Sequence, residues 1–166
     1  MARQLWLLRH AEAEPHGSRE DSERRLTERG EMQARAAGAA LERLGIEFDE
    51  VLFSPKVRAR ATAELAAAAW AAEQRERLRD HAPLASGFGI GQAREALSAI
   101  PLDGRLLLVG HEPDLSRLVA DLTGGRVDVK KGGLAIVRLE GAGGELVALM
   151  RPRELALLAG VPVGRD

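Results

Sequence analysis

Two apolar runs that each lead into a histidine constrain the fold of this chain more than any other feature. Residues 5–8 run directly into Arg9 and His10, and residues 106–109 are followed, after one glycine, by His111. Unbroken apolar runs of this length are typical of strands buried on both faces of a parallel sheet. Ligands of open α/β sheets bind at the carboxyl ends of the strands. We therefore expect the two histidines to share one site at that edge of the sheet.

The segment between the two runs predicts two helices and a further strand. Thr27 is a typical N-cap, and apolar residues at helical spacing follow it as far as Gly45. Residues 51–53 then form a short apolar run that predicts a second strand. Ser54 and Pro55 come next and predict an N-cap and a first helical position.

The C-terminal third predicts a hairpin that completes the sheet. Residues 134–139 and 146–150 are apolar runs separated by a glycine-rich turn. Alternating strands and helices indicate parallel strands with right-handed crossovers. We therefore predict a single domain over residues 1–166, of three-layer α/β/α class with a mainly parallel central sheet.

The composition excludes several classes of function. Hydrophobic residues make up 45% and charged residues 30%, which indicates a globular rather than a disordered chain. The net charge of −1 gives no reason to expect nucleic acid or a membrane surface as partner. The absence of cysteine excludes disulfides, thiolate catalysis and cysteine metal sites. Met1 leads directly into the first strand and no apolar run has membrane-spanning length, so we expect a cytoplasmic protein.

Three short motifs stand in order along the chain. They are Arg9-His10, Ser54-Pro55-x-x-Arg58-Ala59-x-x-Thr62 and Gly110-His111. Their order resembles that of the histidine phosphatase (phosphoglycerate mutase-like) superfamily, and their close spacing is most similar to that of the short SixA-type phosphohistidine phosphatases. The resemblance spans roughly residues 5–122 and implies a phosphoglycerate mutase-like fold.

The resemblance implies a role for four residues of these motifs. His10 would be the nucleophile and would form a transient phosphohistidine that water then hydrolyses. Arg9 and Arg58 would bind the phosphoryl oxygens, and His111 would donate a hydrogen bond to one of them as charge develops. We expect nearby arginines to lower the pKa of His10, and a backbone carbonyl to fix its tautomer.

A fifth phosphate-binding candidate lies in the polar loop after the first strand. Arg24 aligns with an arginine that precedes a Leu-Thr pair in SixA-like proteins, and here Leu26-Thr27 supplies that pair. The neighbouring Arg25 is the alternative. The loop itself is expected to lie over the carboxyl edge of the sheet, where active-site loops belong.

Two departures from the superfamily pattern bear on the substrate. Ala11 stands where the superfamily commonly has glycine, a replacement that SixA-like chains accept. Residues 83–87 contain no carboxylate, although many superfamily members carry an acidic proton donor there. A phosphoramidate nitrogen leaves more easily than an alcohol without a dedicated acid, which favours a phosphohistidine substrate. Glu12 or Glu112 could supply an acid from another direction.

These observations predict a metal-independent phosphatase without a cofactor. A zinc site on His10 and His111 would need a third ligand, and a flanking arginine disfavours a cation. The resemblance implies a phosphorylated histidine on a phosphotransfer protein as substrate. The alternatives are a phosphomonoesterase acting on a small phosphorylated molecule and, from a different class, a noncatalytic phosphoprotein-binding module. A mutase is disfavoured, because the short chain lacks insertions that would enclose a sugar phosphate.

Overall fold

The computed structural model describes residues 2–162, and this part of the chain forms a six-stranded sheet with six α-helices. The strands are β1 (Gln4–Arg9), β2 (Glu50–Phe53), β3 (Leu78–Asp80), β4 (Arg105–Gly110), β5 (Leu134–Glu140) and β6 (Gly143–Met150). The helices are α1 (Glu28–Arg43), α2 (Val57–Ala67), α3 (Ala72–Arg75), α4 (Ile90–Ser98), α5 (Asp114–Thr123) and α6 (Pro152–Leu158). No helix among residues 2–162 has the length and apolar character needed to cross a membrane.

The sheet has the strand order β3-β2-β4-β1-β5-β6. β3, β2, β4 and β1 pair in parallel, whereas β5 and β6 continue the sheet in antiparallel pairing. The predicted mainly parallel sheet and the C-terminal hairpin are therefore confirmed. β1 and β4 are neighbours in a register that places Arg9 opposite Gly110, so the two histidine motifs leave the sheet side by side.

The two faces of the sheet carry separate hydrophobic cores, which explains the unbroken apolar runs. Leu7 and Leu108 belong to the core that packs against α4 and α5, whereas Leu8 and Leu107 belong to the core on the α1 and α2 side. All four side chains are fully buried, which stabilises the fold by about 1.5–3 kcal/mol each. The predicted three-layer α/β/α class is confirmed.

α1 and α2 pack at unusually short range because both helices carry small residues. A Cβ atom added to Gly38 of α1 would lie 1.8 Å from the carbonyl oxygen of Ala66 in α2. The carbonyl of Gly38 also accepts a hydrogen bond of 3.0 Å from the indole N–H of Trp70, just beyond α2. This contact fixes the position of α2, whose first turn holds Arg58.

Local start signals for the helices are partly confirmed. The Thr27 hydroxyl caps α1 by accepting a hydrogen bond from Gly30 N–H, as predicted. The predicted cap of α2 is wrong, because α2 begins at Val57 with Lys56 as its N-cap. Ser54 lies before the helix, fully buried, and its hydroxyl contacts a residue of the site instead.

Candidate active site

The two motif histidines lie together at the carboxyl ends of β1 and β4. The ring centroids of His10 and His111 are 5.2 Å apart, and the two residues are only 5% and 7% exposed. The His10 backbone N–H donates to the carbonyl of Gly110 at 3.0 Å, which continues the pairing of β1 with β4. The parallel register of two neighbouring strands is thus what brings the two imidazoles into one site.

The backbone around His10 fixes the tautomer of its ring. Nδ1 of His10 is 2.8 Å from the carbonyl oxygen of Ala11, and a carbonyl oxygen only accepts hydrogen bonds. Nδ1 therefore carries the proton, which leaves a free lone pair on Nε2. The Thr62 hydroxyl accepts the Ala11 N–H at 3.0 Å, and Gly132 N–H donates to the His10 carbonyl at 3.1 Å. These contacts hold the backbone of the candidate nucleophile from two sides.

Both imidazoles are held in the neutral form. Burial is the main cause that lowers the pKa of His10 to about 3. The hydrogen bond to the Ala11 carbonyl acts in the opposite direction, and His111, Arg58 and Arg9 each lower the pKa further. Burial also lowers the pKa of His111 to about 3, and Arg58 is the strongest charge acting in the same direction. The arginines act as expected, but the loss of water around the rings has the larger effect.

The His111 ring has one nitrogen engaged and one available. Nε2 lies 2.7 Å from the hydroxyl oxygen of Ser54, which also accepts the Lys56 backbone N–H at 3.3 Å. Nδ1 is buried and has no hydrogen-bond partner among the described residues. A buried polar atom in this condition is unfavourable unless a ligand or water satisfies it.

Arg9 and Arg58 each leave a buried nitrogen free near the histidines. Arg9 Nη1 donates to the carbonyl of Val129 at 3.0 Å, and Arg58 Nη1 donates to the carbonyl of Asp21 at 2.6 Å. The Nε atoms of both arginines are buried without a partner in residues 2–162. Burial lowers the pKa of both side chains, because it removes the water that stabilises their charge. An anion between them would restore part of that stabilisation.

Of the two loop arginines, Arg24 rather than Arg25 lies against this cluster. Arg24 is buried, its Nε and Nη2 donate to Asp21 Oδ1 at 3.1 and 3.0 Å, and its Nη1 donates to the Glu14 carbonyl at 2.7 Å. Arg25 is exposed to solvent. The structure therefore connects Arg24 to Arg58 through Asp21.

Asp21 and Lys56 are two site residues that the sequence analysis missed. Lys56 Nζ donates to Asp21 Oδ2 at 2.9 Å, and Arg58 Nη2 donates to the same oxygen at 3.3 Å. The hydrogen bond from Lys56 and that from Arg24 hold the pKa of the Asp21 carboxyl well below its usual range. Asp21 stands three residues before Arg24 and Lys56 two before Arg58, but this spacing does not show in the sequence that the two charges meet.

The two carboxylates considered as proton donors lie in different surroundings. Glu12 Oε1 accepts the Thr27 hydroxyl at 3.0 Å and is thereby engaged at the start of α1. Glu112 follows His111 directly and is half-buried. Burial raises its pKa, although a hydrogen bond with Ser116 and the charge of Arg9 act against this. Its Oε1 atom is buried without a partner among the described residues.

The arrangement suits transfer of an anionic group better than coordination of a metal. Across residues 2–162, no group of three or more histidine, aspartate or glutamate side chains has the arrangement of a metal site. A neutral imidazole with a free Nε2 lies among buried guanidinium groups, which is the combination that phosphoryl transfer requires: a nucleophile and fixed positive charge.

Sequence similarity relates this chain to a known protein family. The family model of the histidine phosphatase superfamily (branch 1) matches residues 5–83. An uncharacterized protein from Picosynechococcus sp. is 34% identical over 140 residues, which covers 81% of this chain and 84% of that protein. A mitochondrial serine/threonine-protein phosphatase, Pgam5 of Drosophila virilis, is 42% identical over 64 residues, but these span 39% of this chain and only 22% of Pgam5.

Solved structures of similar fold cover almost the whole chain. The protein histidine phosphatase SixA complexed with tungstate superposes with a TM-score of 0.79 at 25% identity, over 92% of this chain and 99% of SixA. SixA from Nakamurella multipartitia, a protein whose phosphohistidine phosphatase activity is inferred, superposes with a TM-score of 0.75 at 26% identity. The match covers 92% of this chain and 97% of that protein. An α-ribazole-5′-P phosphatase from Escherichia coli gives 0.69 at 24% identity over 92% and 98%, which shows a shared fold.

Proposed function

The chain belongs to the histidine phosphatase superfamily, and on that premise we propose that it is a metal-independent phosphohistidine phosphatase with His10 as its nucleophile. The observation that carries the proposal is the state of the His10 ring. Its Nδ1 proton is held by the Ala11 carbonyl, so that a lone pair on Nε2 is available among buried cations. A nucleophile in this state needs no base to activate it near neutral pH.

The proposed reaction has two steps. Nε2 of His10 attacks the phosphorus atom, a new N–P bond forms, and the bond from phosphorus to the substrate nitrogen breaks. The leaving nitrogen takes up a proton from solvent, so that the substrate imidazole departs as a neutral ring. Water then attacks the phosphorus of the enzyme-bound phosphohistidine, which breaks the N–P bond and releases orthophosphate and His10. Each step needs only the substrate, water and protons.

Arg9, Arg58 and His111 are the groups proposed to stabilise charge on the transferring phosphoryl oxygens. Each has a buried nitrogen without a hydrogen-bond partner among the described residues. Donors that are already in place when charge develops stabilise a transition state without reorganisation. For His111 this requires the proton on Nδ1, with the Ser54 hydroxyl donating to Nε2. Arg24 is proposed as a further phosphate-binding residue, since it is buried and Asp21 connects it to Arg58.

Phosphohistidine on a phosphotransfer protein is the proposed substrate, and a small phosphate monoester is the second candidate. The similarity to SixA favours the first, as does the lack of a carboxylate in residues 83–87. One observation favours the second. Glu112 adjoins His111 and its pKa is raised by burial, so it is a carboxyl group that could protonate an alcohol leaving group.

The test measures phosphate release from a phosphohistidine-bearing phosphotransfer domain and from p-nitrophenyl phosphate, both with EDTA present. We expect the phosphohistidine to be hydrolysed faster, and the His10→Ala variant to lose turnover of both substrates. His81→Ala is the matched control, since it removes a histidine at the end of β3 and leaves the pair intact. Faster turnover of the ester would favour the second candidate. An unaffected His10→Ala variant would contradict the assignment of the nucleophile.

A covalent intermediate gives an independent test. Quenching with alkaline detergent during turnover should trap a phosphoryl group on the wild-type protein that is stable to alkali and labile to acid, as expected for phosphohistidine. Peptide mapping should place it on the peptide that contains His10. Retained binding of the phosphorylated domain without any turnover would instead identify a binding module.

A further inference from the structure

The carboxylate of Asp21 occupies the side of the site where the cations converge. Its Oδ1 accepts hydrogen bonds from Nε and Nη2 of Arg24, and its Oδ2 accepts from Lys56 Nζ at 2.9 Å and Arg58 Nη2 at 3.3 Å. His16 Nδ1 lies 3.8 Å from Oδ1. Two carboxylate oxygens thus receive four hydrogen bonds from three positively charged side chains.

This arrangement uses the donors that a phosphoryl group would need. Nη1 of Arg58 donates to the Asp21 carbonyl and Nη2 donates to the Asp21 carboxylate, so both terminal nitrogens of the motif arginine are engaged by one residue. A phosphoryl dianion that reached the same nitrogens would meet a fixed negative charge beside it. Two negative charges about 4 Å apart repel each other appreciably near a protein surface, so the Asp21 carboxylate would weaken the binding of the phosphoryl group.

Asp21 lies on an exposed turn, whereas Arg24 and Arg58, two of its three partners, are buried. It begins the short 3₁₀ turn Asp21–Glu23, which is exposed, and its own side chain is 48% exposed, whereas those of Arg24 and Arg58 are 6% and 5% exposed. Arg24 directly follows this turn in the chain, but Arg58 and Lys56 belong to the start of α2. An outward movement of the turn would therefore break the contacts with Arg58 and Lys56 and leave the Asp21–Arg24 pair together.

We propose that Asp21 is a specificity-determining residue, an internal anion that a phosphoryl ligand must displace from Arg58 and Lys56. This inference rests on the proposed function, since it takes the ligand to be a phosphoryl group bound between His10 and Arg58. Free orthophosphate offers only its own oxygens in exchange for the Asp21 contacts, and is therefore held weakly. A phosphorylated protein adds contacts outside the site that offset the displacement, so the enzyme distinguishes substrate from product.

The experiment compares orthophosphate binding to the wild type and to Asp21→Asn by titration calorimetry. Asparagine keeps the size of the side chain and removes the charge that competes with phosphate. We expect the variant to bind orthophosphate about tenfold more tightly, because the charged Asp21 carboxylate no longer competes with it for the hydrogen-bond donors of Arg58 and Lys56. Glu23→Gln is the matched control, because it removes one negative charge from the same exposed turn and should change the affinity less than twofold.

Weaker or unchanged binding by Asp21→Asn would overturn the proposal, because it would show that Asp21 only holds the cations in place. Absence of binding by both proteins would overturn it as well, whereas binding by the variant alone would support it. Hydrolysis of phosphohistidine by the wild type tests the proposed function separately, since it does not depend on the direction of the affinity change.

A measurement on the wild type covers the case in which the asparagine variant does not fold. Crystals of the wild type grown with tungstate, the anion bound by the similar SixA structure, should show Asp21 Oδ2 more than 4 Å from Arg58 Nη2. An anion bound between His10 and Arg58 with the 3.3 Å contact intact would overturn the proposal.

Discussion

The pair of neutral histidines should make the protein unusually sensitive to mild acid. Burial lowers the pKa of His10 and of His111 from 6.5 to about 3, so the folded protein binds no proton at either ring until the pH approaches 3. The unfolded chain takes up these protons below about pH 6.5. The stabilising contribution is thus complete above pH 6.5 and is lost progressively as the pH falls from 6.5 toward 3.

The size of the effect follows from the two pKa values. At pH 5 an unfolded imidazole is protonated almost completely, which favours unfolding by about 2 kcal/mol for each histidine and about 4 kcal/mol for His10 and His111 together. A protein of this size has a total stability on the order of 5–15 kcal/mol. The histidine pair alone would therefore remove a large part of it.

Urea unfolding at pH 7.5 and pH 5.0, in buffers without phosphate, measures this loss. The variant His10→Gln/His111→Gln is the comparison, since glutamine does not titrate and the carboxylates contribute equally to both proteins. Between pH 7.5 and pH 5.0 we expect the free energy of unfolding to fall by about 4 kcal/mol more in the wild type than in the double variant. Each single variant should lose about 2 kcal/mol more than the double variant. Equal losses in the wild type and the double variant would refute the reasoning, because the rings would then titrate alike in the folded and unfolded states.

Further predictions concern packing and backbone contacts near the site. Gly38→Ala should destabilise the protein by about 3 kcal/mol or more, measured by urea unfolding, because its Cβ would lie 1.8 Å from the Ala66 carbonyl. Gly91→Ala, on the exposed side of α4 with nothing within 4 Å of its Cβ, should instead stabilise by about 0.5–1 kcal/mol, and a loss of stability would contradict the assigned helix. Thr62→Val removes the acceptor of the buried Ala11 N–H, so it should lower the free energy of unfolding by about 1–3 kcal/mol and also lower kcat. Phosphate release at the wild-type rate would contradict the expected effect on kcat.

The elements that hold the histidines could be predicted because their signals are local. A strand buried on both faces must be apolar throughout, so β1 and β4 were recognisable as runs that stop at His10 and before His111. The cap of α1 at Thr27 is equally local, since a hydroxyl bonds an N–H three residues later. The chemical roles of the site residues stay predictions until the experiments above are done.

The parts that could not be predicted depend on contacts between distant segments. Ser54 has the residue type of a helix cap, but its hydroxyl contacts His111, a residue 57 positions away. Asp21 and Lys56 look like solvated charges in the sequence, and only the fold of the loop over α2 brings them together. The choice of Arg24 over Arg25 depends in the same way on how the loop turns.

The strand β3, which the sequence analysis missed, shows a related effect. β3 has three residues, and its residues 79 and 80 are charged and exposed, so it carries no apolar pattern. It forms because the backbone of β2 offers a free edge. Pairing of this kind depends on the neighbouring strand and leaves little trace in the sequence.

The order of the strands also determines when the site can assemble during synthesis of the chain. β1 and β2 are the first strands made, yet they do not pair with each other, because β4 lies between them. Until residues 105–110 have left the ribosome, the edges of β1 and β2 that later pair with β4 stay open, and His10 lacks the Gly110 carbonyl that holds its N–H. Non-local pairing of this kind slows folding and leaves strand edges open to other chains. A nascent chain that ends before β4 lacks both Gly110 and His111, so the site cannot form in it.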